Sequence, residues 1–386
     1  MDISVYFEPI DSEEYQTESF PLGSRVVFYS QVGKFPEIEG AELAIFGVHE
    51  DRNAVNNEGC AQAPDFIRNK LYLLHLVSEN PKIVDLGNIK AGHSAADTYF
   101  AVSSVLSELL RKNIVPIILG GGQDITYAQY TAYQMLEQTV NIVSVDATFN
   151  IGAIHQDLDS NSYLGKIITH EPSFLFNYSN IGYQTYFVGA DSVELMSKLF
   201  FDTYRLGYVR ANLEEVEPIV RNADMLSFDV SSIRQSDAPG NRNASPNGFY
   251  GEEACQIARY AGMSDKLSSI GFYEINPKYD RGNQTSHLVA QMIWYFMDGF
   301  YNRKKDFPLS SKQGFVKYRV AIKNTEHEII FYKSKKSDRW WMEVPYQDYK
   351  TKYYRHHIIP CSYQDYQTAC NEEMPERWWL GFQKLS

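Results

Sequence analysis

From about residue 40 to residue 303 the chain alternates short, near-continuous apolar runs with longer stretches of helical periodicity. That alternation limits the fold more than any other feature. Runs of four to eight apolar residues separated by helices read as parallel strands buried on both faces. The strand candidates are Leu43–Val48, Ile83–Leu86, Ile114–Leu119, Ile142–Val145, Thr185–Val188, Met225–Val230 and Ser269–Ile275. Between them the helix candidates include Pro64–Val77, Asp97–Arg111, Ser192–Phe201, Glu252–Ala261 and Ser286–Phe300. In such sheets functional groups collect beyond the carboxyl ends of the strands.

After Arg303 the pattern changes. KKDFPLSSKQG is a polar junction, and VKYRVAI, EIIFYKS and RWWMEVPY then alternate as strands joined by short loops. SYQDYQTACNEEMPERWW predicts a helix capped by Ser362 and Asp365, with an aromatic end. The expected organisation is a main domain over 1–303 and a small, aromatic, basic α+β extension over 304–386. Residues 304–386 hold 15 Lys/Arg against 10 Asp/Glu (net +5), and the remainder 21 against 38 (net −17). An acidic body argues against nucleic acid as a partner. No apolar run reaches the ~18 residues of a membrane span, and MDISVYFEPIDSEEYQ lacks a basic segment leading into an apolar one. With four scattered cysteines (Cys60, Cys255, Cys361, Cys370) and no CxxC pair, the expectation is a cytoplasmic protein with reduced thiols.

Four segments sit at the ends of predicted strands: GGGQDITY (120–127), VDATFN (145–150), SFDVSSIRQSDAPG (227–240) and YEINPKYD (273–280). An earlier stretch, GVHEDRNAVNNEGCAQAPDFIR (47–68), precedes them. In this order and spacing they resemble the ureohydrolase superfamily of arginase, agmatinase and formimidoylglutamase. Ala63 stands where the early segment of that family has its second Gly. The triple-glycine form followed by Tyr127 is most similar to the formimidoylglutamase branch. The resemblance implies a three-layer α/β/α domain of the arginase type with a mainly parallel sheet.

It also implies a site for two Mn²⁺ ions, and here the residues depart from the pattern. The first ligand, a His, falls on Gln123. The D-A-H-x-D cluster falls on Asp146, Thr148 and Asn150, and the S-x-D-x-D cluster on Asp229 and Ser231. Only Asp146 and Asp229 remain ionisable. Two ions carrying +4 would face two carboxylates, where the family supplies four and two imidazoles. Losing a single outer-shell partner already costs ~10–100-fold in metal affinity, so the expectation is no metal and no cofactor; if any ion binds, Asp146 and Asp229 hold it. Glu274 matches the family's glutamate for the guanidinium or formimidoyl nitrogen, and reads equally as a strand-end carboxylate capping the loop before Pro277. His155, Asp157 and Asp159 could form a relocated site, or an ordinary solvated loop.

Three functions follow. The first is a catalytically inactive ureohydrolase-like protein kept for protein interaction or scaffolding, with residues 304–386 as a surface for a protein partner. The tail's Trp340, Trp341, Trp378 and Trp379 would otherwise simply fix it to the main domain. The second is an active hydrolase of N-formimidoyl-L-glutamate or a related amidine, using Mn²⁺. The third is a sensor holding a guanidino or amino-acid ligand through Glu274. The resemblance also allows a homo-oligomer.

Overall fold

The computed structural model describes residues 1–386 except 16–20, 154–155, 309–310, 323–327, 347–352 and 386. Among the described residues, ten strands form the main sheet. They are β1 (Phe7–Glu8), β2 (Val27–Phe28), β3 (Leu43–Val48), β4 (Ile83–Ile89), β5 (Val115–Leu119), β6 (Val140–Val145), β7 (Leu175–Tyr183), β8 (Asp202–Arg205), β9 (Met225–Asp229) and β10 (Ser269–Tyr273). Their order is β1-β4-β3-β5-β10-β9-β6-β7-β8, with β2 also on β4. Only the β1 pairing is antiparallel. Strands β3, β5, β6, β9 and β10 are buried at every residue, which is what unbroken apolar runs such as LAIFGV require.

Helices cover both faces. On one side lie α1 (Ala63–Leu71), α6 (Leu206–Ala211), α7 (Val216–Arg221), α8 (Gly251–Gly262) and α9 (Gln284–Tyr301). On the other lie α2 (Ala95–Arg111), α3 (Ile125–Gln134), α4 (Tyr163–Ile168) and α5 (Ala190–Lys198). This is the three-layer arrangement that the alternation of runs predicts. Helix α2 opens with a reciprocal Ser94–Asp97 capping box, satisfying backbone donors that the first turn leaves free.

One predicted strand is corrected. Residues 185–188 (TYFV) form an exposed turn, and the strand lies upstream at Leu175–Tyr183. Its buried Asn177, Ser179 and Asn180 break the apolar signal, while the run that looks like a strand is surface.

The C-terminal segment forms an antiparallel sheet of β11 (Phe315–Ala321), β12 (Glu328–Ser334), β13 (Trp340–Glu343) and β14 (Ile358–Cys361), with α10 (Tyr363–Cys370) and α11 (Glu376–Leu385). The Ser362–Asp365 capping box forms as the sequence predicts. Trp340, Trp341 and Trp378 are buried, whereas Trp379 is 43% exposed, so three of the four serve packing. The tail's basic excess meets the body's acidic excess inside the chain. Arg355 pairs with Asp224 at 2.5 Å, Arg339 with Glu217 at 3.0 Å, Arg377 with Glu215 at 3.1 Å and Lys384 with Asp202 at 3.5 Å. His356 stacks on Phe176 with ring centroids 4.0 Å apart and bonds Thr139. Among the described residues no helix is long and apolar enough to cross a membrane.

Candidate functional site

Strands β5, β10, β9 and β6 are consecutive neighbours in the sheet, so the four strand-end segments open onto one cleft. After β5 the chain turns through Gly120 and Gly121 with φ of +72° and +80°. A Cβ at Gly121 would meet Ile125 Cδ1 at 2.2 Å and the Glu50 carbonyl at 2.9 Å, so only glycine fits this approach. The turn sets Gln123 over the end of β6.

There Gln123, Asp146, Thr148 and Asn150 bond to one another. The Gln123 amide donates to Asp146 Oδ2 at 2.8 Å, and its carbonyl accepts from Asn150 Nδ2 at 2.8 Å. Asn150 Nδ2 also donates to Asp146 Oδ2 at 2.8 Å. Thr148 gives its N–H and hydroxyl to Asp146 Oδ1 at 2.9 and 3.2 Å, and its hydroxyl also reaches Asn150 Oδ1 at 2.7 Å. A carboxylate only accepts, which fixes both amide orientations. Asn150 takes φ of +51°, a conformation that Asn tolerates better than most residues.

At the end of β9, Asp229 accepts its hydrogen bonds from Ser231, through the backbone N–H at 2.7 Å and through the hydroxyl. Glu274 follows β10 with φ of +67°. Its Oε1 accepts from the Gln123 N–H at 2.8 Å and its Oε2 from Asn57 Nδ2 at 2.7 Å. Asn57 and Asn241 both donate to the Glu274 carbonyl, and Asn276 braces Asn57. Glu274 is thus tied into the loops around it and also lines the cleft. The cavity between these groups measures about 200 Å³, with Asn56, Thr148, Asn161, Phe187, Asp229 and Glu274 on its walls.

The three cleft acids are deeply buried, and burial is the main reason each holds its proton tightly. It pushes Asp146 to about 6 and Glu274 to about 7. Asp229 is raised well above the usual carboxylate range by burial, then by the charges of Asp146 and Glu274. Asp124, which the sequence reading missed, is pushed to about 7 by burial although Tyr99 donates to it at 2.5 Å. Nothing in the chain flags it beyond its place next to Gln123.

A stability consequence follows. Folded values above the unfolded ones, near 4 for Asp and Glu, mean that the fold prefers these groups protonated. Their contribution is complete below about pH 4 and is lost as pH rises through 6 and 7. A two-unit shift is worth on the order of 3 kcal/mol, so the melting temperature is expected to fall between pH 5 and pH 8. Asp229→Asn keeps an acceptor for Ser231 and removes one charge, so it should raise Tm at pH 8 and change it little at pH 5. A wild-type Tm that climbs steadily from pH 5 to pH 8 would show that these acids are not strained by ionisation.

Of the possible second cluster only Asp157 and Asp159 lie among the described residues, and His155 lies outside them. Asp159 closes its own turn, accepting from Gln156 Nε2 at 2.5 Å and from the Asn161 N–H at 2.9 Å, and Asp157 is exposed.

Similarity to known proteins agrees with this layout. Formimidoylglutamase of Staphylococcus haemolyticus is 24% identical over 296 residues, spanning 69% of this chain and 91% of that protein. The Staphylococcus aureus formimidoylglutamase is 26% identical over 266 residues, 66% of this chain and 85% of its own. Among solved structures, Trypanosoma cruzi formiminoglutamase with Mn²⁺ superposes with a TM-score of 0.64 at 21% identity, covering 69% of this chain and 96% of that one. Formimidoylglutamase from Bacillus subtilis gives 0.65 at 19%, covering 74% and 92%. At these identities the superpositions speak for the fold. The sequence profile of the arginase family matches residues 41–298, and on that match, with the sheet order and the shared cleft, the chain belongs to the arginase family.

Proposed function

We propose that this arginase-family chain is a binding or scaffolding protein that keeps the ureohydrolase cleft without manganese hydrolysis. One observation carries the reading: amide N–H groups of Gln123 and Asn150 point at the same oxygen of Asp146. An ion there would have to displace both donors, and at the former ligand positions it would meet, beyond Asp146 and Asp229, only neutral amides and hydroxyls. Such oxygens ligate hard cations weakly and usually beside several carboxylates. The residues do not fit a manganese pair. Polar groups that bond one another can instead occupy the cleft floor at no cost in unpaired charge.

The purified protein is expected to carry well under one equivalent of Mn²⁺ per chain. With added Mn²⁺ it is expected to release neither urea from arginine or agmatine nor formamide from N-formimidoyl-L-glutamate. Elemental analysis and the two product assays test this together; stoichiometric manganese with turnover abolished by Asp146→Ala would overturn it.

A second reading is an active amidine hydrolase, giving glutamate and formamide from N-formimidoyl-L-glutamate. It is favoured by the activity that names the relatives and by Glu274 facing the cleft. The same two measurements separate the readings. The proposed protein partner, engaged through residues 304–386, would use the tail's remaining exposed surface, where Trp379 lies.

A further inference from the structure

We propose that the cleft is a socket for one lysine or arginine side chain of a partner protein, which docks on the Tyr186–Phe187 turn at its mouth. The inference rests on the reading of the cleft as a metal-free binding site. It places a protein contact there in addition to the one on the tail.

Charge complementarity selects a cation. Asp229 and Glu274 are 6% and 3% exposed, and both line the cavity. An ionised carboxylate has about four lone-pair sites. Asp229 uses two, on the N–H and hydroxyl of Ser231. Glu274 also uses two, on the Gln123 N–H and the Asn57 amide. Together they keep about four acceptor sites open. Asp146 adds a third buried acid beside them, bonded by Gln123, Thr148 and Asn150. The rest of the wall is neutral: among the described residues no Lys, Arg or His lines the cavity. An ammonium brings three donors and a guanidinium five, so either meets the open acceptors and supplies the missing counter-charge. A neutral ligand would leave the acids buried without a cation, which is unfavourable.

The cavity and its mouth favour a side chain on a polypeptide over a free molecule. A free amino acid such as arginine would bring its own carboxylate to a wall without a basic residue; in a peptide the same side chain is flanked by neutral amides. About 200 Å³ lies below the roughly 300 Å³ of a pocket that encloses a whole drug-sized ligand, and it has room for one side chain. At the mouth the run TYFV forms a turn with Tyr186 62% and Phe187 50% exposed, and Phe187 also lines the cavity. The two rings meet edge to face with centroids 4.7 Å apart. Hydrogen bonds tie this turn to the cleft floor. The Gln184 N–H donates to the Ala147 carbonyl at 2.9 Å, and the Phe187 N–H to the Gln184 carbonyl at 2.8 Å. The Tyr186 hydroxyl donates to the Gln184 side chain and accepts from Asn247 Nδ2 at 2.9 Å. Exposed aromatic rings dominate the binding energy of protein interfaces, and rings already held in place lose less entropy on docking.

The test is calorimetry on the full chain at pH 8. The probes are end-capped Gly-Leu-Lys-Leu-Gly and Gly-Leu-Arg-Leu-Gly peptides and the same peptide with norleucine at its centre. They are set against free lysine, arginine, agmatine and N-formimidoyl-L-glutamate. At least one charged peptide is expected to bind with a dissociation constant of about 1 mM or tighter, and more tightly than any of the free molecules. The norleucine peptide should bind at least about 10-fold more weakly, and Asp229→Asn should weaken the charged peptide by a similar factor, since each removes one partner of a buried charge pair. Phe187→Ala should weaken it about 5- to 10-fold, as loss of an aromatic anchor does. Phe187 is at the surface, so its variant reports even if Asp229→Asn does not fold. Equal binding of the norleucine peptide, tighter binding of a free molecule, or binding of neither charged peptide overturns the proposal and leaves the metal-free reading standing. Manganese-dependent formamide release in the same samples would instead overturn that underlying reading.

Discussion

Arg221→Ala is expected to destabilise the protein by about 3–5 kcal/mol, the range for removing one partner of a buried charge network. Arg221 is 3% exposed and lies at the end of α7, on the main domain. Its two terminal nitrogens donate to the Trp340 and Cys361 carbonyls, each at 3.1 Å, on neighbouring strands of the second sheet. The guanidinium also sits 4.4 Å from the centre of the Trp341 ring and pairs with Glu217 at 3.0 Å. Truncation removes a donor from two buried carbonyls, at about 1–3 kcal/mol for each left unsatisfied, and leaves Glu217 to Arg339 alone. For a chain of this size the fall in Tm is on the order of 5–10 °C. Lys384→Ala, at the far end of the same contact, should cost under about 1 kcal/mol. A loss below 1 kcal/mol for Arg221→Ala would mean that the tail rests on the main domain without being part of its folding unit. Deleting residues 304–386 reports on the same point. If the shortened chain is unfolded, the tail is structural; if it folds and loses a co-purifying protein, the tail is the partner's surface.

How far the sequence could reach depends on the range of each interaction. The central sheet was legible because LAIFGV, VPIIL and SIGFY are apolar without interruption, as only strands covered on both faces need to be. Strand β7 was not, since Asn177, Ser179 and Asn180 bury polar groups whose partners lie elsewhere: Asn177 reaches Asp202 and Asn180 reaches the Thr148 carbonyl. The positions of the cleft residues were legible through motif spacing, because each segment ends a strand and neighbouring strands bring them together. Their mutual bonding was not. Gln123 and Asp146 lie 23 residues apart, and Asn57 and Glu274 lie 217 apart; periodicity carries no information over such distances. The tail's charge was legible, but not its direction. A net +5 beside a net −17 is compatible with an outside partner or an inside one, and Arg355, Arg339, Arg377 and Lys384 each pair with an acid of the main domain.

The largest gain is expected from putting the missing ligands back. A chain carrying Gln123→His, Thr148→His, Asn150→Asp and Ser231→Asp would restore two imidazoles and four carboxylates, counting the native Asp146 and Asp229, at the ends of β5, β6 and β9. The backbone permits it. Position 150 keeps a φ of +51°, which Asp tolerates nearly as well as Asn, and Ser231 is only half-buried beside Asp229. Without metal the variant should be less stable than the wild type, because two more acids join Asp146 and Asp229 and the Gln123–Asn150 amide bridge is gone. With Mn²⁺ at about a thousand times its dissociation constant, binding adds about 4 kcal/mol, which a chelator should remove. The wild type under the same conditions should show no shift. The opposite pattern, a chelator-sensitive shift in the wild type and none in the variant, would mean that the polar network of Gln123, Thr148 and Asn150 is itself a metal site of another kind. No shift in either would mean that the cleft has closed beyond what four side chains can reopen, and that its present shape was set by the neutral network it now holds.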